Sequence, residues 1–360
     1  MQPRIAFRTH YQIDEPAYLE LLIKLCTSPV QSTYREVVAQ RLSKEIKKRG
    51  AKLNEDAAAY AVDLGKDLRL LTDNHTWTET GHLINLVAHI GPDELEHELT
   101  LSLPEKLLHF RVFLEGDGAA IVFLARRLIQ DRSVIGSALT WNALAKEMFI
   151  SVFSEYLAMT NNTADRVELR REIQRIKAKD YRGNSGEHKM LVHLQTLYRL
   201  GLVIRPEPSG SRTYQLPETQ SGARCALLTI AEEVRDAAGL ERVLVDHKWI
   251  EVAAKVFQIE ARGWTNALDL ASLVVPYYQS VMATGAPLCP ISTLLEAVQI
   301  DLLSHNSQLL VWSEAVQALE KLQKQHPKDV RFHVDRRGQP AFVKISDEFV
   351  ASCSEHRVEP

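Results

Sequence analysis

The sequence has few of the features that mark an extracellular, membrane-spanning or metal-binding protein. Its four cysteines, Cys26, Cys225, Cys289 and Cys353, are far apart and form no C-x-x-C pair, so neither a disulfide framework nor a zinc site is expected. No segment reaches the roughly 18 uninterrupted apolar residues of a membrane span, and residues 1–5 begin no apolar run of signal-peptide length. We therefore expect a cytoplasmic protein with free thiols, no membrane partner and no cofactor.

The composition is that of an ordinary globular protein, without a strong charge of either sign. The 360 residues are 45% hydrophobic and 25% charged, and the formal net charge is −3. This length allows roughly two to four domains with substantial buried cores. A nearly neutral chain does not coat nucleic acid through bulk charge, but it can carry local basic patches.

Motifs for catalysis are also lacking. The sequence has no Walker-type loop, no dinucleotide-binding glycine pattern and no G-x-S-x-G elbow. Asp180 with the run Glu187-His188-Lys189 superficially matches a metal-dependent nuclease, but that chemistry places Glu-x-Lys on a strand, whereas here it opens a predicted helix. His188 and His193 are five residues apart and would not face one metal ion. We therefore predict that the protein is not an enzyme and holds no metal; a nuclease is the weakest alternative.

The most informative segment is residues 186–215, which predicts an amphipathic helix followed by a two-stranded hairpin. At 3.6 residues per turn, one face collects the apolar side chains of Met190, Leu191, Leu194, Leu197 and Tyr198. The opposite face, predicted to be available to a ligand, collects His188, Lys189, Gln195, Thr196 and Arg199. Gly201 is predicted to end the helix in the left-handed conformation. Residues 202–204 and 212–216 are then predicted as two short strands around a turn-rich loop.

This segment resembles the recognition helix and wing of bacterial winged helix-turn-helix repressors of the arsenical-sensor and antibiotic-resistance types. The resemblance rests on the order L-x-x-L-x-x-x-G-L-V, a loop with glycine, and Arg-x-Tyr-x-Leu. In that family the helix enters the major groove and the wing touches backbone phosphate. The resemblance therefore implies such roles for Lys189, Gln195, Thr196, Arg199 and Arg212. The chain departs from the metal-sensing members, because no cysteine pair or histidine cluster accompanies the helix.

The N-terminal part repeats the order of helices followed by a hairpin. Three predicted helices, the third capped by Asn54, precede a turn at residues 73–75 and a further helix capped at Thr78. This order predicts a second winged-helix unit.

The C-terminal part repeats the order a third time. Ser313 is predicted to cap a helix that buries Ala315, Val316, Leu319 and Leu322 and exposes Gln317, Lys321 and Lys324. Residues 330–334 and 341–345 are predicted as strands that enclose a tight turn, with Arg336 and Arg337 at its tip.

The connecting segments are predicted to be helical. Residues 103–130 contain Gly116-Asp117-Gly118, which predicts a turn joining two antiparallel helices. Residues 160–212 contain eleven basic and six acidic residues, whereas residues 213–312 contain six basic and eleven acidic ones. This asymmetry indicates one face for nucleic acid and another for a different partner.

Together these patterns predict a mainly α protein built from about three winged helix-turn-helix units with small β-wings, joined by helical connectors. The predicted domains are an N-terminal winged-helix-like domain (1–100), a helical connector with the middle winged-helix domain (101–220), an acidic helical connector (221–285) and a C-terminal winged-helix-like domain (286–360).

The predicted function is non-catalytic binding of double-stranded DNA, as a transcription regulator or as the DNA-binding subunit of a complex for chromosome organisation or antiviral defence. The predicted DNA contacts are His188, Lys189, Gln195, Thr196, Arg199, Arg205, Arg212, Lys321, Lys324, Arg336 and Arg337. The acidic helical region is predicted to support a homodimer or to bind a partner protein. The main alternative is a scaffold or adaptor subunit of an ATPase or nuclease assembly, in which the winged-helix faces bind protein.

Overall fold

A computed structural model of the protein describes residues 3–5, 16–26, 35–48, 54–88, 101–131, 133–134, 138–179, 185–204, 214–215, 222–265, 270–336 and 338–355. The described chain is mainly α-helical, which confirms the predicted class. Among the described helices, none combines the length and the apolar character that crossing a bilayer would need.

The elements follow one another along the chain in this order. The first part contains α1 (Pro16–Leu25), α2 (Arg35–Lys48), α3 (Glu55–Asp67), α4 (Glu79–Val87), α5 (Leu103–Asp131), β1 (Ser133–Val134), α6 (Ala138–Met159), α7 (Thr163–Ala178), α8 (Ser185–Arg199) and β2 (Tyr214–Gln215). Next come α9 (Gly222–Thr229), a π-helical turn (Ile230–Val234), α10 (Ala237–Val245), α11 (Trp249–Val256) and β3 (Arg262–Gly263). The last part contains α12 (Leu270–Ala283), β4 (Cys289–Pro290), α13 (Ile291–His305), β5 (Gln308–Leu309), α14 (Trp312–Gln325), β6 (Val330–Val334), β7 (Pro340–Ile345) and α15 (Asp347–Glu355).

Helices α1–α4 form the N-terminal unit, and two predicted caps are confirmed there. The side chain of Asn54 accepts a hydrogen bond from the backbone N–H of Ala57 (2.7 Å), and Thr78 accepts one from Gly81 (3.1 Å). Each cap satisfies a backbone N–H that has no partner inside its helix. The indole N–H of Trp77 donates to the carbonyl of Ile23 (2.9 Å), so the turn before α4 is tied to α1.

Helix α5 runs through the first hydrophobic core. This core joins buried residues between positions 5 and 256 with three residues of α13. Helix α5 contacts α4, α6, α8, α9, α10, α11 and α13, and its 29 residues span about 43 Å. It is therefore a central helix rather than two surface helices.

The turn predicted at Gly116-Asp117-Gly118 is wrong, because these residues lie inside α5. A Cβ atom at Gly116 would lie 2.5 Å from Leu68 Cδ2 and 3.0 Å from Leu68 Cα, and one at Gly118 would lie 2.8 Å from Leu240 Cδ1. The glycines allow neighbouring elements to approach the helix closely. A glycine that permits close packing looks the same in a sequence as a glycine that forms a turn, so the pattern alone does not distinguish the two.

The N-terminal segment contacts α5 at this same point. The backbone N–H of Ala119 donates to the carbonyl of Arg4 (3.1 Å), and the Arg4 guanidinium donates to the carbonyl of Glu115 (3.0 Å). The guanidinium also donates twice to Glu241, at 2.7 and 3.0 Å. The two backbone groups that a regular helix pairs with each other therefore both have a partner outside the helix.

Residues 270–355 form the C-terminal unit, which has a second hydrophobic core. Its three-stranded antiparallel sheet has the order β4-β7-β6, with Cys289 opposite Val343 and Phe332 opposite the same residue on the other side. The unit thus follows the order α12, β4, α13, β5, α14, β6, β7, α15; β5 pairs with β3 outside this sheet, and the first strand of the sheet, β4, pairs with the last, β7. The two predicted C-terminal strands are confirmed; the division of the whole chain into four domains stays a prediction.

A buried ion pair connects α5 to the C-terminal unit. The Arg111 guanidinium donates to Glu296 of α13 (3.1 Å) and to Glu115 (2.8 Å), and all three side chains are largely buried. Burial is the largest single influence and would raise the pKa of Glu296, but the charges of Arg111 and His247 and their hydrogen bonding together outweigh it, so the pKa lies below its ordinary value. A second contact joins α4 to α13, because Ser292 donates to the Glu79 carboxylate (2.8 Å). The C-terminal unit is therefore fixed against both the N-terminal unit and α5.

We expect Gly116→Ala to destabilise the protein, because the added methyl group overlaps Leu68. Overpacking costs about 1–3 kcal/mol, and the better helix propensity of alanine returns about 1 kcal/mol, so we expect a net loss of up to about 2 kcal/mol. Gly118→Ala should cost less, since only the tips of the Leu240 side chain must move. Urea unfolding of both variants measures the difference. A more stable Gly116→Ala protein would contradict the close packing.

We expect Glu296→Gln to lower the free energy of unfolding at pH 7 by about 3 kcal/mol, because it leaves Arg111 buried with one partner fewer. The lowered pKa of Glu296 also sets a pH window. Its stabilising contribution is complete above the ordinary value of 4.5 and is lost as the pH falls through the lowered value.

Urea unfolding at pH 7 and at decreasing pH below 4.5 tests both statements. The Glu296→Gln variant should lose less stability than the native protein across this acid range. Glu348→Gln, the same change at an exposed position of α15, serves as the control. Equal acid sensitivity of the native protein and Glu296→Gln would contradict the role of the pair.

Candidate nucleic-acid interface

Helix α14 has a buried apolar face and an exposed polar face, as the sequence predicted. Ala315, Leu319 and Leu322 are at most 5% exposed and pack in the second core. The exposed residues on the opposite side include Gln317, Lys321 and Lys324. Lys321 and Lys324 are one turn apart, so the second half of the helix presents two cations to solvent.

The start of α14 is held by an aromatic stack rather than by the predicted serine cap. Ser313 lies inside the helix, and Val311 at the N-cap position has no side-chain hydrogen bond to it. The first helical residue, Trp312, stacks on His247 with ring centroids 3.8 Å apart and planes at 12°. Because His247 follows α10, the stack fixes the beginning of α14 against the first core.

The hairpin after α14 alternates between a buried and an exposed face. Val330, Val343 and Ile345 are at most 2% exposed and pack into the second core. Arg331, His333 and Lys344 are exposed. This period of two is what a strand with one buried face requires.

Two cations lie directly opposite each other on the exposed face of this hairpin. Arg331 pairs in register with Lys344, and both side chains are exposed. Like charges directly opposite on neighbouring strands are destabilising. Within the described residues, neither side chain forms an ion pair with a carboxylate. The exposed face of the hairpin therefore carries two adjacent positive charges, and its strand β6 contacts α14.

The turn between β6 and β7 is built around Asp335. Its carboxylate accepts a hydrogen bond from the backbone N–H of Gln339 (2.9 Å), and Gly338 has a φ of 77°, which favours glycine. Arg336 is exposed at the tip, as predicted. Arg337 lies outside the described residues.

The predicted recognition helix of the middle unit, α8, is buried on most of its circumference. The five consecutive side chains from Met190 to Leu194 are at most 4% exposed. Helices α5 and α6 both contact α8, so it has two covered sides instead of one. A helix enclosed in this way over Met190–Leu194 cannot lay that stretch into a DNA groove without leaving the core.

Thr196 and Gln195 are not part of an open polar face. Thr196 is 1% exposed, and its hydroxyl donates to the carbonyl of Val192 (2.9 Å), so the prediction that it contacts DNA is wrong. Gln195 is half-buried, and its side-chain oxygen accepts a hydrogen bond from the hydroxyl of Tyr214 (2.6 Å). The helical period placed Gln195 and Thr196 on the outer face, but in the structure both side chains have hydrogen-bond partners within the protein.

The rest of the middle hairpin is only partly as predicted. Gly201 ends α8 with a φ of 76°, which confirms the predicted stop. Residues 202–203 form a bend rather than a strand. The returning strand β2 exists, and it pairs with β1, with Val134 opposite Tyr214. Arg205 and Arg212 lie outside the described residues.

Two predicted residues of α8 retain contact with solvent. Arg199 is exposed, and its guanidinium carbon lies 5.9 Å from the ring centroid of Tyr198. Lys189 is half-buried, and burial together with the neighbouring charges of Lys179 and Arg175 lowers its pKa. The backbone of His188 is helical, but its side chain lies outside the described part.

Arg331 and Lys344 were not among the predicted DNA contacts, although they lie on the hairpin that follows α14 and contacts it through β6. The sequence does indicate that both side chains face solvent, because both belong to strands with polar and apolar residues in alternation. It does not indicate that they face each other, since the residue opposite Arg331 depends on how the two strands pair.

Two buried histidine–carboxylate pairs lie in the first core. His109 Nε2 lies 2.7 Å from Glu20 Oε1, and His193 Nδ1 lies 2.7 Å from Asp117 Oδ2. All four side chains are at most 2% exposed, so they cross-link α5 to α1 and α8 without access for a substrate. No group of three or more potential metal ligands occurs among the described residues, and Asp180 and the side chain of Glu187 lie outside them.

Comparison with known proteins adds no relative to this picture. No protein-family model matches the sequence, and neither the curated proteins nor the solved structures contain a significant match.

Proposed function

We propose that this protein binds double-stranded DNA without catalysing a reaction, and that α14 and the β6–β7 hairpin form its principal contact surface. The observation that carries the proposal is the in-register pair Arg331 and Lys344 on the β6–β7 hairpin, whose strand β6 contacts α14, the helix that exposes Lys321 and Lys324. Four exposed cations on a helix and an adjacent hairpin match the negative charge of a DNA backbone.

The order of elements in the C-terminal unit supports a winged-helix role. Helix α12, strand β4, helices α13 and α14 and the β6–β7 hairpin follow the order of a winged helix-turn-helix unit, in which the second helix of the motif enters the major groove. In this assignment α14 is the recognition helix, Gln317 faces base edges, and Lys321 and Lys324 contact phosphate. The hairpin with Arg336 is the wing.

The middle unit is assigned a mainly structural role in this proposal. Its predicted recognition helix is enclosed by α5 and α6, and the polar groups of Gln195 and Thr196 have partners inside the protein. This burial also favours the scaffold as the second candidate function, with the protein serving as a subunit that holds other proteins together. The two functions differ in whether duplex DNA is retained at all.

The DNA function predicts a loss of affinity when three C-terminal cations are neutralised. We expect the triple variant Lys321→Gln, Arg331→Gln and Lys344→Gln to bind a random-sequence 30-base-pair duplex more weakly than the native protein. The slope of log affinity against log salt should become shallower by about 0.9 for each phosphate contact removed, so by about 2–3 in total. Fluorescence anisotropy between 50 and 200 mM salt measures both quantities.

A matched triple on α7 controls for overall charge. Arg170→Gln, Arg171→Gln and Lys177→Gln removes the same charge from exposed positions outside the C-terminal unit. The control should bind almost as tightly as the native protein. Equal weakening by both triples would contradict the C-terminal surface, and a native protein that retains no duplex at 50 mM salt would favour the scaffold.

A further inference from the structure

The outward face of α2 carries a second concentration of positive charge. Val38, Leu42 and Ile46 are at most 4% exposed and pack in the first core. The residues Gln40, Arg41, Lys44 and Lys47 are exposed on the other side. We call Arg41, Lys44 and Lys47 the α2 strip. They follow one another at intervals of three residues, so their side chains lie along one side of the helix.

The α2 strip has little acidic charge around it. Residues 41–52 contain six basic residues and one acidic residue, Glu45, which is half-buried while the strip is exposed. Within the described residues, no carboxylate forms an ion pair with a member of the strip. By contrast, Arg35 at the other end of α2 donates to both carboxylate oxygens of Asp63. The helix thus neutralises the cation at its start and leaves those along its second half open to an anion.

Favourable interaction with the helix dipole does not account for the whole strip. Cations stabilise a helix when they lie in its last turn, near the partial negative charge of the free carbonyl groups. Lys47 meets this condition, because α2 ends at Lys48. Arg41 and Lys44 precede the last turn and are beyond the range of this effect.

We propose that the α2 strip is a second contact surface for duplex DNA, which binds backbone phosphates without reading sequence. The inference rests on the proposed function, since it supplies a further surface for the same ligand. From Arg41 to Lys47 the helix rises about 9 Å, which is comparable to the rise of about three base pairs along the duplex axis, at 3.4 Å each. Exposed lysine and arginine side chains without base-sized pockets contact phosphate and carry no sequence preference.

The packing of the protein holds this second surface in a fixed relation to the first. Helix α4 of the N-terminal unit packs on α13 of the C-terminal unit, and Glu79 accepts hydrogen bonds from Ser292 (2.8 Å) and Thr293 (3.2 Å). When both surfaces contact one duplex, their binding free energies combine, because the second contact forms at a high effective concentration. Loss of either surface should therefore weaken binding of the whole protein to a long duplex.

The test is a triple variant of the full-length protein, Arg41→Gln, Lys44→Gln and Lys47→Gln. All three residues are exposed, so circular dichroism and the thermal unfolding midpoint should match those of the native protein. On a random-sequence 60-base-pair duplex, the salt slope should become shallower by about 2–3, and the affinity at 100 mM salt should fall by at least tenfold. The α7 triple Arg170→Gln, Arg171→Gln and Lys177→Gln again removes equal charge as the control.

The outcomes separate this inference from the proposed function. If the α2 variant keeps the affinity and slope of the α7 control while the C-terminal triple weakens binding, the α2 inference is wrong and the proposed function stands. If the α2 variant weakens binding while the C-terminal triple does not, the principal surface was assigned to the wrong unit and the α2 inference stands. If the native protein retains no duplex at 50 mM salt, both fail.

Discussion

The buried contact between Arg111 and Glu296 is the charged interaction that holds the C-terminal unit against the central helix. Arg111 belongs to the central helix α5, and Glu296 belongs to α13 of the C-terminal unit. A charge that is removed from water needs its partner, because an unpaired buried charge costs on the order of 3–5 kcal/mol when one member of a pair is lost. The pair therefore disfavours any arrangement of the two cores that separates Arg111 from Glu296. With the two cores in contact in this way, Trp312 stacks on His247 and fixes the start of α14.

The central position of α5 also explains why α8, the predicted recognition helix of the middle unit, is mostly buried. Asp117, between two glycines that let neighbours approach the helix, lies 2.7 Å from His193 of α8. This polar contact in the core needs α8 to lie against α5 at His193. With α8 held there, Thr196 and the side-chain oxygen of Gln195 have partners inside the protein. Helix α14 also contacts α12, α13 and β6, but Gln317, Lys321 and Lys324 on its polar face stay exposed.

Sequence patterns predicted the elements that lie at the surface and failed for those at the centre. The faces of α14, the caps of α3 and α4 and the stop at Gly201 depend on neighbouring residues in the chain, so local spacing predicted them. The orientation of α8 depends on two other helices, and the role of Gly116 depends on Leu68, far away in the sequence. A single sequence contains no direct record of such contacts. The register that sets Arg331 opposite Lys344 was hidden for the same reason, although both strands were predicted.

The net charge of −3 does not show that positive and negative charges are concentrated in different parts of the chain. Residues 213–312, which include α9 to α13, contain eleven acidic and six basic residues, whereas the α2 strip and the β6–β7 hairpin present exposed cations. An acidic region repels the phosphate backbone and the cationic surfaces attract it, so the two effects act together to orient an approaching duplex. Because exposed charges are screened beyond about 10 Å at 0.1 M salt, this orientation operates at short range. On the proposed function, a nearly neutral protein built in this way would bind DNA through the positions of a few cations rather than through total charge, and its binding should respond to their loss.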